Sequence, residues 1–272
     1  MTILESALLG FLQGMTEFLP ISSSGHLVLA ETLLQFKSSD YLFFDILLHL
    51  ATLVAVCIFF RVRLMNMAVA LFSFLQKRES TDAERFDRIL FFALFLSTVV
   101  TGVLGISFRY RFEAMRDHLT LVGAAFLLMG VILLATRKCR TDESSESSSL
   151  PINIWLFALI MGLAQTTAIT PGISRSGTTV AVALLIGVSR RFAVEYSFLM
   201  SIPAILGAAA LEWRHAKMIV DMTPAIIGFV VSLVSGIIFL WLLVWLVQKE
   251  RLYQFSFYLF ALGTIVLVYS LT

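Results

Sequence analysis

Charged side chains are scarce in this chain. Asp, Glu, Lys and Arg make up only 14% of its 272 residues, against roughly a quarter in an ordinary soluble domain, while 59% are hydrophobic and the mean hydropathy is +0.92. That balance excludes a single water-soluble core. Neither sign of charge dominates: 20 Lys plus Arg stand against 18 Asp plus Glu, a net +2. Such a chain has no basic surface able to neutralise a run of phosphates, so nucleic acid is excluded as a partner. Cysteine is nearly absent. Cys57 falls in an apolar stretch and Cys139 in a basic loop, so neither fits a disulfide or metal pattern and both read as free thiols. The first 19 residues hold Glu5, Gln13 and Glu17 but no Lys or Arg. They lack the positive start of a cleaved signal peptide and read as part of the mature fold.

What the chain does have is apolar length. Crossing about 30 Å of hydrocarbon takes roughly 20 helical residues, and stretches of that order run near 89–108, 119–136, 225–247 and 255–271. Two more, near 41–60 and 192–211, hold Asp45 and His49 or Glu195 and Pro203 within the span. The fold class expected is an all-α polytopic membrane protein. Residues 136–151, TRKCRTDESSESSSLP, are charged and serine-rich and read as a linker. The expected division is a first repeat over 1–140, a polar linker over 141–150 and a second repeat over 151–272, all within one membrane domain.

Two segments, 1–36 and 151–188, are apolar at their ends but broken by proline, glycine and clustered serines, so neither is one continuous helix. At an offset of 152 residues they match: Gly10 with Gly162, Gln13 with Gln165, Ile21 with Ile173, Ser22 with Ser174, Ser24 with Ser176 and Gly25 with Gly177. Each copy reads as a re-entrant helical hairpin with its tip at membrane depth; a pair of kinked transmembrane helices is the alternative. Lys and Arg concentrate on the cytoplasmic side of membrane proteins. Taking 61, 63, 77, 78, 85, 88, 137, 138, 140, 190, 191, 249 and 251 as one side and 37, 109, 111, 116, 214 and 217 as the other leaves Arg175 inside the membrane. The hairpins then enter from opposite faces, giving inverted repeats with six spans and a site near the midplane where broken elements meet. Residues 64–75 read as a short interfacial helix.

The first hairpin supplies Gln13, Glu17, Ser22, Ser23, Ser24, Gly25 and His26; the second supplies Gln165, Ser174, Arg175, Ser176, Gly177 and Thr178. Gln13 and Glu17 share a helical face. A carboxylate at membrane depth costs about 2.5–3.5 kcal/mol on insertion scales, which makes Glu17 a functional candidate, with a stabilising pair to His26 as the bland reading. Each tip pairs a capping hydroxyl with a glycine able to take positive φ, so backbone amides are expected to face a phosphate. Arg175 adds a planar cationic fork suited to phosphate oxygens. Asp45 with His49 and Arg191 with Glu195 read as local i to i+4 pairs, the former with a secondary role toward the site left open. Gly228, Ser232 and Gly236 form a small-residue stripe that predicts close helix packing. His118 and His215 read as loop residues without chemistry.

The run Gln13-Gly14-Met15-Thr16-Glu17-Phe18-Leu19-Pro20-Ile21-Ser22-Ser23-Ser24-Gly25-His26, with the later Pro171-Gly172-Ile173-Ser174-Arg175-Ser176-Gly177, closely resembles the undecaprenyl-diphosphate phosphatase family linked to bacitracin resistance. The likeness runs along essentially the whole chain. It implies hydrolysis of undecaprenyl diphosphate to the monophosphate and phosphate, in the inner membrane of a bacterium with the site toward the outer leaflet. It also implies membrane lipids as partners and leaves a homo-oligomer open. By the same resemblance Glu17 matches an acidic position linked to a divalent cation, Mg²⁺ or Ca²⁺, Arg175 a diphosphate-binding arginine, and Ser23 with His26 a proposed catalytic pair. Many members have glutamate where this chain has Gln13, whose neutral amide holds a metal less tightly. The rival class is a transporter or flippase, for which inverted repeats with broken helices are the usual architecture.

Overall fold

The structure, a computed structural model, describes residues 2–34, 42–116, 118–139, 153–213 and 222–271, with side chains omitted for 30–34. The linker 141–150, His215 and the basic residues at 37, 140, 214 and 217 lie outside the described residues. Within them the regular structure is helical: α1 (Ile3–Phe18), α2 (Ser23–Leu34), α3 (Leu42–Phe59), α4 (Arg61–Leu75), α5 (Asp82–Ser107), α6 (Arg109–Arg116), α7 (Leu119–Ala135), α8 (Ile154–Thr167), α9 (Arg175–Leu185), α10 (Arg190–Glu212), α11 (Met222–Gln248) and α12 (Phe255–Leu271). Among the described residues six stretches are long and apolar enough to cross a membrane: 42–59, 82–107, 119–138, 190–212, 222–248 and 252–271. They coincide with the six expected spans, and α4 covers the expected interfacial helix.

Both serine-glycine segments break where expected. α1 has 16 residues and α8 has 14, about 24 and 21 Å at 1.5 Å per residue, so both fall short of the hydrocarbon thickness. α1 begins at a capping box in which Thr2 and Glu5 satisfy each other's backbone amides. It stops at Phe18 because Pro20 pushes its predecessor out of helical conformation, and Leu19 is extended at φ −65°, ψ 147°.

Each broken segment packs on a span from the other part of the chain: α1 lies along α11, and α8 along α5. Glycine permits both approaches. A Cβ on Gly10 would sit 2.4 Å from the carbonyl oxygen of Gly228, and one on Gly14 would sit 2.7 Å from that of Ser232. The stripe on α11 is therefore a helix interface, as its spacing predicted. On the other side a Cβ on Gly162 would lie 2.8 Å from the carbonyl oxygen of Ser97. Hydroxyls knit that contact: Ser97 donates to the Ala158 carbonyl at 2.7 Å and pairs with the Tyr196 hydroxyl at 2.8 Å, while Thr101 reaches the Gly162 carbonyl at 3.1 Å. Backbone cannot yield as a flexible side chain does. Gly10→Ala is therefore expected to destabilise the protein by about 1–3 kcal/mol, read as a lower thermal midpoint in detergent. Gly102 and Gly207, with nothing within 4 Å of an added Cβ, should tolerate alanine without loss.

At the end of the bundle where α4 and α10 begin, one expected pairing is replaced. Glu195 is held by Arg63 at 2.6 Å, which also holds Asp87 at 2.5 Å, and Arg190 pairs with Glu250 at 2.5 Å. The expected Arg191–Glu195 pair does not form, because Arg191 is exposed while Arg63 enters from α4 between α5 and α10 and takes the less exposed carboxylate.

Candidate functional site

The two tips meet. Ser22 precedes α2 with φ 69°, a left-handed conformation that costs a non-glycine residue energy and marks a constrained turn. Its Oγ accepts the Gly25 amide at 3.2 Å and pairs with Ser24 Oγ at 3.3 Å. The second tip repeats this geometry: Ser174 Oγ accepts the Gly177 amide at 3.2 Å and pairs with Ser176 Oγ at 3.2 Å. Capping by these serines satisfies the third amide of each helix. First-turn donors that α2 and α9 cannot use internally remain at residues 23, 24, 175 and 176.

Positive φ was expected at Gly25 and Gly177, but Ser22 and Gly172 (φ 93°) adopt it instead. Gly25 and Gly177 are helical and serve close approach. A Cβ on Gly25 would lie 2.6 Å from the Phe126 ring and 2.9 Å from Gly172 Cα, and one on Gly177 2.8 Å from Pro20 Cβ. Hydroxyls fasten the tips as well, since Ser174 and Ser176 reach the Leu19 carbonyl at 3.5 and 3.4 Å.

Between the tips lies a cleft of about 50 Å³, lined by Glu17, Ser22, Ser23, Ser24, Ser174 and Arg175 and closed by Thr16, Ala168 and Ile173. Its centre is an ion pair between the two hairpins: Arg175 Nη2 donates to Glu17 Oε1 at 2.6 Å, with side-chain exposures of 16% and 8%. The second carboxylate oxygen gathers three neighbours. Ser23 Oγ donates to it at 3.1 Å, Gln13 Nε2 at 3.3 Å, and His49 Nε2 stands 3.9 Å away. The other guanidinium nitrogen, Arg175 Nη1, is buried without a hydrogen-bond partner among the described residues. Phe198 lies under the guanidinium at 5.8 Å. A buried unused donor beside four first-turn amides and a row of hydroxyls is the donor set that an anionic oxygen needs.

Other site candidates stand further back. Ser176, Gly177 and Thr178 pack the tips together, Thr178 directing its hydroxyl to Met129 Sδ at 3.4 Å, and Gln165 is buried against Thr101 at 3.3 Å. His26 does not pair with Glu17. Its Nδ1 lies 2.7 Å from the Ser22 carbonyl oxygen and its Nε2 2.6 Å from the Tyr258 hydroxyl. Ser23 and His26 are nevertheless one turn apart on α2 and share a face.

Two neighbours of the site escaped the sequence reading in whole or part. His49 does form the expected local pair, its Nδ1 lying 3.0 Å from the Asp45 carbonyl oxygen and 3.7 Å from its carboxylate, but its other nitrogen faces Glu17. Tyr258 sits in an apolar helix 232 residues from its partner, and no local pattern points to it.

Hard-cation sites are built from oxygens, and this cleft offers the Glu17 carboxylate and serine hydroxyls, with Gln13 set against Glu17 through its amide nitrogen. No cluster of three His, Cys, Asp or Glu side chains suited to a metal occurs among the described residues. Such a donor set fits a cation whose remaining ligands come from substrate oxygens.

Comparison with known proteins gives a consistent set of relatives. The model of a family described as bacitracin resistance protein BacA matches residues 6–265. An undecaprenyl-diphosphatase of Syntrophotalea carbinolica is 38% identical over 97% of this chain and 97% of its own. One of Methanobrevibacter smithii is 37% identical over 100% and 99%, and one of Treponema denticola 38% over 99% and 98%.

Proposed function

The chain belongs to the bacitracin resistance protein family BacA, and from that membership and the cleft we propose that it hydrolyses undecaprenyl diphosphate to undecaprenyl phosphate and inorganic phosphate. The reaction returns the lipid carrier to bacterial cell-wall synthesis. The protein works as a multi-pass enzyme of the inner membrane, its two repeats inverted and its cleft toward the outer leaflet.

One observation carries the reading: Arg175, with one buried donor unused, faces Glu17 across a cleft walled by the serines of both tips. On binding, the diphosphate draws the Arg175 fork and the first-turn amides onto its non-bridging oxygens, where they neutralise charge as the bridging bond lengthens. Ser23 Oγ attacks the terminal phosphorus, the bond to the bridging oxygen breaks, and undecaprenyl phosphate leaves. Water then cleaves the phosphoserine. The Ser23 proton passes to Glu17 Oε2, already its hydrogen-bond acceptor, or to His26 once its ring is released from Tyr258. Direct attack by a water that His26 deprotonates is the second route. Glu17 and Gln13 would hold a Mg²⁺ or Ca²⁺ ion, which when bound supplies further charge neutralisation. A transporter of a phosphorylated lipid needs Arg175 and the amides but no nucleophile; Ser23, held against a carboxylate, favours hydrolysis.

Purified protein is expected to release phosphate from undecaprenyl diphosphate, to leave the monophosphate as the sole lipid product, and to stop when a chelator is added. Transport of the intact lipid across vesicles without phosphate release would favour the other class. Gln13→Glu should lower the cation concentration needed for half-maximal rate several-fold, since a second carboxylate replaces a neutral amide; an unchanged cation titration would remove Gln13 from the ion's surroundings.

A further inference from the structure

The imidazole of His26 is fixed from three sides. On its own helix the ring is tied to the Ser22 carbonyl oxygen, 2.7 Å from Nδ1. From α7 the buried Phe126 meets it edge-on, with centroids 5.6 Å apart and planes at 73°. From α12 comes Tyr258, its ring within 7° of parallel and its hydroxyl 2.6 Å from Nε2.

Hydrogen-bond polarity fixes the proton. A carbonyl oxygen can only accept, so Nδ1 carries the hydrogen that Ser22 receives. In the neutral ring Nε2 is then the lone-pair nitrogen, and Tyr258 is its donor. Neither of the other two contacts performs this function: Ser22 sets one nitrogen, and Phe126 restrains the ring without hydrogen bonding. With the tautomer set by Ser22, the Tyr258 hydroxyl donates to the Nε2 lone pair and holds that nitrogen in a defined direction.

We infer that Tyr258 is a positioning residue for the hydrolysis: its hydroxyl, donating to Nε2, holds the His26 ring, already in the Nδ1–H form through Ser22, in one orientation, with Nε2 ready to take the proton of Ser23 or of water. This rests on the reading of His26 as a proton acceptor in the proposed reaction. Tyr258 does not itself touch the reacting phosphorus in this account. As substrate enters, Nε2 exchanges the Tyr258 hydroxyl for the proton of the nucleophile, and the hydroxyl takes the bond back when that proton leaves. The arrangement differs from an orienting carboxylate behind an imidazole, because here the tyrosine occupies the side of the ring that does the chemistry and must yield it once per turnover. Phe126 and the Ser22 carbonyl oxygen hold the ring while it does.

The test uses the full chain labelled with ¹⁵N-histidine in detergent, with the His26 signals assigned by their loss in His26→Gln. In the wild type the two ring nitrogens should give the Nδ1–H pattern. In Tyr258→Phe, which keeps the ring and removes only the oxygen, the Nδ1–H pattern set by Ser22 should persist while the Nε2 signal shifts with the loss of its hydrogen bond. The same variant should show kcat lowered about tenfold, a small part of the range ascribed to acid–base groups, with KM and thermal midpoint essentially unchanged. A tyrosine that merely fills space would give the opposite result: Tyr258→Phe would match the wild type in the Nε2 signal and in kcat, and only Tyr258→Leu would lose activity, together with stability. That result overturns the inference while leaving phosphate release by the wild type, and hence the proposed function, intact. Wild-type protein that releases no phosphate would instead defeat the proposed function, and the Nε2 signal would still decide whether Tyr258 holds the ring.

Discussion

Arg175→Lys should lower kcat/KM for undecaprenyl diphosphate by about 10³-fold, near the upper end of what removal of one preorganised donor costs, while leaving the protein folded. Lysine can satisfy Glu17, so the buried carboxylate keeps a cationic partner. It offers a single nitrogen in place of a planar fork, however, and cannot hold Glu17 with one donor and a phosphate oxygen with another. Arg175 is placed for that double duty, with Nη2 on Glu17 at 2.6 Å and Nη1 buried and unused. Arg175→Ala is a poorer probe. Breaking a buried ion pair by deleting one partner costs about 3–5 kcal/mol, so loss of activity there would mix with loss of fold. Near-wild-type turnover in Arg175→Lys, at equal thermal midpoint, would show that the fork does not act on the transferring group.

Ser23→Ala has the second large expected effect, a fall in hydrolysis of roughly 10⁴-fold, because a nucleophile and its base act as a unit. Acid quench of wild type during turnover with substrate labelled in the terminal phosphate should leave label on Ser23, and none on the alanine variant. Ser23 is only half-buried, and among the described residues its hydrogen bond to a side chain is that to Glu17, which keeps Arg175 and Gln13 as partners, so the substitution leaves no buried group stranded. Appreciable hydrolysis in Ser23→Ala would assign the attack to water.

Local pattern carried much of this. Apolar length located all six spans, proline and clustered serines located both helix breaks, and the spacing of Gly228, Ser232 and Gly236 located the face of α11 that receives α1. These features depend on residues close together in the chain. Partnerships that depend on how distant helices are brought together were less legible. Arg191 and Glu195 have the spacing of a pair, yet Arg63 from another helix takes Glu195 because it reaches the buried side of that carboxylate. Gly25 and Gly177 looked like turn glycines, but the left-handed turn falls on Ser22, and the glycines are needed where the tips and the Phe126 and Met129 side chains crowd together. Within the site, Glu17 and Arg175 stood out because ionisable groups are costly at membrane depth, whereas Tyr258 gave no sign among the aromatic residues of an apolar helix.

The two serine-glycine tips, 152 residues apart in the chain, close one cleft. A Cβ on Gly177 would lie 2.8 Å from Pro20 Cβ, under an ångström short of the separation a disulfide spans. Pro20→Cys with Gly177→Cys, in a chain with Cys57 and Cys139 changed to alanine and a protease site inserted within residues 141–150, makes this directly measurable in native membranes. After oxidation and cleavage the two halves should migrate as one species, and separate on reduction. Halves that separate without reductant, in a protein that otherwise folds, would contradict the account.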